Sequence, residues 1–349
     1  MSRIRSKQSL FDAALESARI FNAVASECAV TGGILEAAHD FSTAGELAVR
    51  MRFHPAKAES FRALLEILVD TNLLERREGD GCRIYRTRRD LIGTLKSLNG
   101  ELSRYIPRYE ILEPWFGERH IERIRSSNSE LLGKDLSFFR SPSVKIRFDR
   151  TFLNAWQTNL RNPLYEFGRL LAIQELVRRG RRFLDLASGL GYCSQRLAEF
   201  SEPGCEIVCV DCSQDMLDEA RLLQYPGAKV RFILHDLNRG LPRLRPAFFD
   251  GIMFNGAFHF ISDKSARLRE MYRVLRPGGL LVIGHCFSRS GFADEPMHDF
   301  YFSMIENATW PIRFDELRSM IADAGFREIE QYHRGSHSYL LAEREQGRQ

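Results

Sequence analysis

Apolar and polar positions follow two different patterns along the chain, and the pattern changes near Arg182. After that point, short apolar runs that predict strands alternate with stretches of helical apolar spacing. The first five predicted strands are RRFLDLA, CEIVCVD, KVRFILHD, FFDGIMFN and LLVIGHCF. The predicted helices of the same region are YCSQRLAEF, SQDMLDEARLL, SDKSARLREMYRVL and FDELRSMIADAGF. This alternation predicts an α/β fold in which helices cover both faces of a parallel sheet.

Two further predicted strands follow the last of these helices. They are REIEQYHR and HSYLLAER, and no helix separates them. Strands joined without a crossover pair antiparallel, so we expect one of the two to run antiparallel at the edge of a seven-stranded sheet.

Residues 10–90 predict helices that are followed by a hairpin. Ser42 or Thr43 can cap a helix, and Glu46 stands where a capping-box partner belongs. The stretch from Ala56 to Asp70 predicts an amphipathic helix, and Gly79-Asp80-Gly81 predicts the turn between two short strands. Helices followed by such a hairpin form the winged-helix pattern, so we predict a mostly α winged-helix domain in front of the sheet.

The charges of this domain bear on whether it binds DNA. Glu59, Glu66 and Asp70 lie on the helix that would enter a DNA groove, where they would repel phosphates. The predicted wing carries the arginines Arg76, Arg77, Arg83, Arg86, Arg88 and Arg89, which keeps DNA binding open as the lesser alternative. We favour a module that pairs subunits and expect no nucleic-acid partner.

Composition limits the cellular compartment and the class of protein that we expect. The chain has 349 residues, which is long for one core, a formal net charge of +4 and seven cysteines. Cys205, Cys209 and Cys212 lie on or beside one apolar run, which favours a buried strand over a metal or redox site. No apolar stretch approaches the ~18 residues of a membrane span, and the basic N-terminus lacks an apolar signal core. We therefore expect a cytoplasmic protein with no membrane partner.

A glycine-rich loop follows the first predicted strand of the sheet. It reads Asp185-Leu-Ala-Ser-Gly189-Leu-Gly191, and ligands of such sheets bind at this edge. A dinucleotide fingerprint would have its third glycine at Ser194, and Asp185 would oppose a pyrophosphate. A carboxylate at Asp185 suits the ammonium group of a methionine instead.

Two more aspartates follow the same logic on the next two strands. Asp211 ends the second strand, where a carboxylate can accept both hydroxyls of a ribose. Asp236 ends the third strand, where a carboxylate can accept from an adenine amino group.

Together these motifs resemble the class I S-adenosylmethionine-dependent methyltransferases. The resemblance rests on the glycine loop, Asp211 followed by Met216, His235-Asp236, and the segment RVLRPGG, all in the family's order. It implies a Rossmann-like domain that binds S-adenosylmethionine and releases S-adenosylhomocysteine. The family's cofactor-binding positions fall on Asp185, Ala187, Gly189, Gly191, Asp211, Cys212, Met216, Asp236, Leu237 and Asn255. Ala187 departs mildly from the family, which has a glycine or a similarly small residue there.

With the winged helix in front, the whole chain resembles the small-molecule O-methyltransferases of the hydroxyindole, phenazine and plant phenylpropanoid kind. That resemblance implies a small-molecule acceptor and a homodimer formed through the N-terminal domain. In that family a histidine after the fourth strand removes the acceptor's proton, and His259 falls on its position. Imidazole titrates near neutrality, so we predict O-methylation of a hydroxyl on an aromatic or secondary metabolite, with His259 as the catalytic base.

The predicted domain organisation has three parts. They are a winged-helix-like dimerisation domain at 1–95, a helical linker that walls the substrate at 96–165, and the S-adenosylmethionine-binding methyltransferase domain at 166–349. The predicted acceptor pocket is apolar, and its substrate-binding residues are Trp156, Phe300, Tyr301 and Met304.

Two alternatives stay open. His259, His285 and His298 could converge on a metal ion that stabilises the enolate of a 2-oxo acid, whose carbon would then take the methyl group. Our first prediction uses no metal ion. The carboxylates that flank the histidine in the plant enzymes are not recognisable in this chain. A regulatory or scaffold protein that binds S-adenosylmethionine without transferring its methyl group is therefore the non-enzyme alternative.

Overall fold

The computed structural model describes residues 24–79, 81–92, 126, 129, 132, 133, 135–141, 163–285, 287, 300, 303, 313–334 and 337–345. The chain divides into two compact units, one made of 1–163 with 291–310 and the other of 164–290 with 311–349. The segment 291–310, which we expected in the C-terminal domain, is thus assigned to the first unit. The three-part organisation at 1–95, 96–165 and 166–349 stays a prediction.

The described part of the first unit contains short helices and a small antiparallel sheet. Residues 24–31 are helical, and the helices that follow are α1 (Ile34–Ala37), α2 (Ala44–Arg50), α3 (Ala58–Asp70), α4 (Arg89–Ile92) and α5 (Ser137–Arg140), with a 3-10 turn at Pro55–Lys57. Its strands are β1 (Ser42–Thr43), β2 (Leu74–Glu78) and β3 (Arg83–Thr87), in the order β1-β3-β2. The predicted hairpin is present as β2 and β3, whereas β1 was not expected. That this unit is a winged helix stays a prediction.

Local sequence features determine where two helices of the first unit begin. Thr43 caps α2, because its hydroxyl accepts from the Glu46 amide at 3.2 Å while Glu46 Oε2 accepts from the Thr43 amide at 2.7 Å. Helix α3 begins at Ala58 rather than at the predicted Ala56, because Pro55 opens a 3-10 turn first. Its apolar side packs into the core of this unit.

Aromatic rings form the centre of that core. Phe139 stacks on Phe53 at 5.1 Å between ring centroids and on Phe300 at 6.3 Å. Phe61 of α3 packs edge-on against Phe53 at 5.0 Å. The Ser60 hydroxyl donates to the Ser303 carbonyl at 3.1 Å, which ties Ser303 to α3.

The second unit is an α/β sandwich. Its described helices are α6 (Pro163–Val177), α7 (Tyr192–Phe200), α8 (Gln214–Arg221), α9 (Lys264–Val274) and α10 (Phe314–Asp323). Its strands are β4 (Arg182–Leu186), β5 (Glu206–Asp211), β6 (Lys229–Leu234), β7 (Phe249–Asn255), β8 (Leu275–His285), β9 (Phe326–Arg334) and β10 (His337–Arg344). Apolar clusters cover both faces of the sheet, which confirms the predicted α/β fold with seven strands.

The strand order is β6-β5-β4-β7-β8-β10-β9, and the strands from β6 to β8 are parallel. The last strand, β10, runs antiparallel to both of its neighbours, β8 and β9. We expected the antiparallel strand at the edge, and that placement is wrong, because β10 lies one strand inside β9. The apolar residues Tyr339, Leu340 and Leu341 of β10 are fully buried, as a central strand requires. Strand β9 is rich in charged residues, which suits the edge of the sheet.

Within the described residues, no helix is both long enough and apolar enough to cross a membrane.

Candidate functional site

The predicted site residues gather at the carboxyl ends of the adjacent parallel strands. Asp211 ends β5, Asn255 ends β7 and His285 ends β8, while Asp236 follows β6 by two residues. The chain passes from β4 outward to β5 and β6, and then returns to the other side of β4 with β7. Such a reversal opens a crevice at this edge of a doubly wound sheet, which is where ligands bind.

The glycine loop after β4 has a backbone that few side chains tolerate. Ala187, Gly189 and Gly191 have φ angles of 49°, 53° and 78°, in the left-handed region. Gly191 caps α7, and a Cβ there would lie 2.6 Å from the Tyr225 hydroxyl. A Cβ on Gly189 would meet nothing closer than the Met216 sulfur at 3.6 Å. The loop is therefore closely packed at Gly191 and more open at Gly189.

Asp211 fixes this loop to the next strand. Its Oδ2 accepts a 2.8 Å hydrogen bond from the Gly189 amide, and its Oδ1 accepts a 2.9 Å bond from the Ser213 amide. Burial raises the pKa of Asp211, and the hydrogen bonds from backbone amides oppose that rise. A carboxylate has about four lone-pair sites, so Asp211 keeps acceptor capacity for a ribose hydroxyl beside these amides.

Asp185 is more enclosed than we expected, with only 1% of its surface exposed. Its Oδ2 accepts a 2.6 Å hydrogen bond from the Ser194 hydroxyl, which joins α7 to β4. Burial raises the pKa of Asp185 to about 7; the Ser194 hydrogen bond opposes this, and the neighbouring Asp211 adds to it. Ser194, which stands where a dinucleotide fingerprint has its third glycine, thus serves to hold the Asp185 carboxyl.

The residues predicted to surround the adenosine lie on the β5 and β6 side. Met216 of α8 is buried against the loop at Gly189, and Cys212 is exposed beside Asp211. Asp236 caps the 3-10 turn Leu237–Arg239, since its Oδ1 accepts from the Asn238 amide at 2.9 Å. Leu237, the first residue of that turn, is buried.

Asn255 carries an unsatisfied acceptor on the β7 side. Its Oδ1 atom is buried, and it accepts no hydrogen bond within the described residues. A buried acceptor without a donor costs about 1–3 kcal/mol, so the site offers a place for a ligand's N–H or O–H group. This orphaned acceptor, the Asp211 carboxylate and the room above Gly189 together fit S-adenosylmethionine.

His259 and His285 meet on the same side of the crevice. His259 lies in the 3-10 turn Phe258–Phe260 after β7, and each of the two side chains is 3% exposed. Their rings stack at 4.5 Å between centroids with an interplanar angle of 9°. Burial holds the pKa of His259 well below its usual range, and His285 and Lys264 lower it further. His259 is therefore a neutral imidazole at neutral pH, the form that can accept a proton.

The remaining predicted residues divide into two groups. Trp156, Tyr301, Met304 and His298 lie outside the described residues. Phe300 is described, and it is fully buried in the core of the first unit, where it stacks on Phe139. Its predicted contact with an acceptor is not tested by that position and stays a prediction.

The metal alternative gains no support from the part of the chain that the structure describes. Those residues contain no cluster of three or more His, Cys, Asp or Glu side chains suited to a metal ion. His259 and His285 are adjacent, but the third predicted ligand, His298, is outside the described residues. The alternative therefore stays open.

The family comparison finds its match in the second unit of this chain. Residues 184–283 match the family described as methyltransferase domain. The ubiquinone/menaquinone biosynthesis C-methyltransferase UbiE of Pectobacterium carotovorum is 28% identical over 173 residues, which are 44% of this chain and 69% of that protein. The protein of the same name from Escherichia coli is 27% identical over 176 residues, 45% of this chain and 70% of that protein.

Two solved structures are similar over almost the full length of this chain. The citrinin polyketide synthase CMeT domain has a TM-score of 0.62 at 16% identity, with 99% of both chains covered. The CurJ carbon methyltransferase has a TM-score of 0.61 at 16% identity, with 97% of both chains covered. At such low identity, the two structures show a shared fold.

Residues 184–283 therefore match a methyltransferase domain, the fold is that of the class I enzymes, and the chain is an S-adenosylmethionine-dependent methyltransferase. This confirms the predicted fold of the second unit, the predicted cofactor and the predicted enzyme class. The chain acts on a small molecule, and O-methylation in particular is not confirmed.

Proposed function

We propose that this enzyme transfers a methyl group to a carbon atom of a small acceptor that carries an acidic hydroxyl or enol, with His259 as the base. The observation that carries the proposal is the buried, neutral imidazole of His259 at the same sheet edge as Asp211 and Asn255. A methyl acceptor of this kind must lose a proton as the new bond forms, and a neutral imidazole can take it.

The cofactor's expected contacts follow from the strand ends. Asp211 would accept both ribose hydroxyls, Asp236 would accept from the adenine amino group, and Met216 would pack on the adenine ring. The orphaned Oδ1 of Asn255 would accept from the methionine ammonium group, a partner that we first assigned to Asp185. Bound in this way, S-adenosylmethionine supplies an electrophilic methyl group, and the chain's residues supply position and proton removal.

The names of the curated relatives favour carbon over oxygen as the methylated atom. The two UbiE proteins are called C-methyltransferases and share 27–28% of the matched residues with this chain. Deprotonation of a hydroxyl by His259 would delocalise electron density onto the ortho carbon of a phenol or the α carbon of an enol. That carbon could then attack the methyl group, with S-adenosylhomocysteine as the leaving group. O-methylation of the same hydroxyl, our first prediction, uses the same base and is the second candidate.

Pairing of subunits through the first unit stays part of the proposal. Light scattering of the purified protein would give its mass in solution. A mass equal to that of one chain would contradict homodimerisation.

The test is a methyl-transfer assay with cofactor labelled by ¹³C in its methyl group. Phenols, hydroxyquinones and 1,3-dicarbonyl compounds serve as acceptors, and the ¹³C shift of the product distinguishes C–CH₃ from O–CH₃. We expect a C–CH₃ product, and we expect His259→Gln to lose at least about 100-fold in rate, as for removal of a general base. His39→Gln, in which an exposed histidine is replaced, is the matched control. An O–CH₃ product would favour the second candidate, and full activity of His259→Gln would remove the assigned base.

A further inference from the structure

The arginines of the β2–β3 hairpin are sorted onto two faces by the strand register. Arg76 pairs with Tyr85 across the hairpin, whereas Arg77 pairs with Ile84 and Glu75 pairs with Arg86. Neighbouring side chains of a strand point to opposite faces, so Arg76 lies on one face and Arg77 on the other. The hairpin therefore has two faces of different electrostatic character.

On the first face, Glu66 of α3 neutralises the arginines. Its carboxylate accepts from Arg83 Nη1 at 3.2 Å and from the Tyr85 hydroxyl at 2.7 Å, and it also pairs with Arg76. The positive charge of this face is thus compensated by a carboxylate of the same unit.

The second face holds its arginines against one aromatic ring. The guanidinium groups of Arg77 and Arg86 lie 4.5 Å and 4.2 Å from the centroid of the Phe41 ring. Arg86 also pairs with Glu75, since its Nε donates to Oε1 at 2.8 Å. Arg77 forms no ion pair with any described residue. The ring therefore presents two guanidinium groups close together with a single carboxylate beside them.

A groove of about 620 Å³ opens at this face. The charged and polar side chains that line it in the described chain are Asn72, Glu75, Arg77, Arg86, Arg88 and Arg89. Arg77 and Arg89 are the exposed arginines of this groove, and a concave surface strengthens their combined field. The groove belongs wholly to the first unit and contains none of the residues assigned to methyl transfer.

We propose that this groove binds the phosphate group of a small phosphorylated ligand. The planar guanidinium group presents paired N–H donors that match phosphate oxygens, and Phe41 holds two such groups in place. The volume is within the range of small-molecule sites and exceeds what a single inorganic ion fills. A nucleic-acid duplex fits less well, because α3 beside the hairpin carries the exposed Glu59 and the opposite hairpin face is neutralised.

Calorimetric titration of the full chain with inorganic pyrophosphate tests the proposal. The test variant is the double substitution Arg77→Gln/Arg89→Gln, which removes two exposed arginines of the groove. The matched control is Arg76→Gln/Arg83→Gln, which removes the same charge from the neutralised face. The melting temperature of each variant reports whether the fold persists.

We expect pyrophosphate to bind with a Kd below about 1 mM at 0.15 M salt. The groove variant should lose at least about tenfold in affinity, and the control variant less than about threefold. Equal losses in the two variants would reveal general charge attraction and overturn the proposal, as would the absence of pyrophosphate binding. Competition by a short DNA duplex that binds more tightly than pyrophosphate would also overturn the proposal. It would indicate that the groove binds nucleic acid.

Discussion

The imidazole rings of His259 and His285 stack in parallel, with 4.5 Å between their centroids. The two residues are 26 positions apart in the chain, and they meet because β7 and β8 are neighbours in the sheet. Two stacked imidazoles at this distance cannot both be cationic without strong repulsion, so at most one of the two rings carries a positive charge. This relationship favours the neutral form of His259, which is the form that the proposed function requires of a base.

The protonation of this pair can be measured directly. We predict that His259 stays neutral at pH values where a free histidine is already protonated, because burial and the neighbouring charges lower its pKa. In His285→Gln one of the groups that lower the pKa of His259 is gone, so the titration midpoint of His259 should rise. NMR spectra of the protein with ¹⁵N-labelled histidine give both midpoints. A wild-type midpoint at or above that of free histidine would contradict the assignment.

The packing of the cofactor loop predicts unequal effects of two glycine substitutions. Gly191 and Gly204 have φ angles of 78° and 88°, but a Cβ on Gly204 would meet nothing within 4 Å, whereas one on Gly191 would collide with Tyr225. Gly204→Ala should therefore cost about 1 kcal/mol from backbone strain alone. Gly191→Ala should cost about 1–3 kcal/mol more. Urea denaturation checks both values, and equal losses would show that the loop can open to accept the side chain.

The buried carboxyl of Asp185 predicts a dependence of stability on pH. Its pKa of about 7 in the folded protein exceeds that of an unfolded aspartate, so the folded state keeps a proton that the unfolded state has released. The free energy of unfolding contributed by this group is therefore full at low pH and falls as pH rises from about 4 to about 7. Asp185→Asn should abolish that fall, which is visible as the difference between the two denaturation curves measured across this range.

Ser194→Ala is the companion variant to this experiment. It removes the hydroxyl that stabilises the Asp185 carboxylate, so the fall in stability should extend to higher pH than in the wild type. A wild-type curve parallel to that of Asp185→Asn would show that the Asp185 carboxyl is ionised throughout and would contradict the burial argument.

Much of the second unit was predictable because its signals are local. The strands β4 to β8, the glycine loop and the carboxylate of Asp211 follow from apolar runs that end in polar residues. The insertion of β10 between β8 and β9 depends on pairing between segments that are distant in sequence. The apolar run Tyr339–Leu341 was the one sequence feature that indicated a central strand. The enclosure of Asp185 depends on Ser194, nine residues away on a helix, which no strand pattern reveals.

The contact between His259 and His285 and the arginine groove were missed for the same physical reason. We treated His285 only as an alternative metal ligand, since its contact with His259 is made by strand order and not by sequence spacing. The wing arginines were counted together, whereas alternation along β2 and β3 divides them between a neutralised face and a groove. That alternation was available from the sequence once the hairpin register was fixed.

The measurement that tests the account most directly is calorimetric titration with S-adenosylhomocysteine of the wild type, Asp211→Ala and Asp218→Ala. Asp218 lies on the exposed side of α8, so its removal makes the same charge change away from the site. We predict tight binding by the wild type and by Asp218→Ala. Asp211→Ala should lose about 100-fold, because two hydrogen bonds to a charged carboxylate disappear. Equal affinity of all three proteins, or no binding by the folded wild type, would contradict the placement of the cofactor at Asp211.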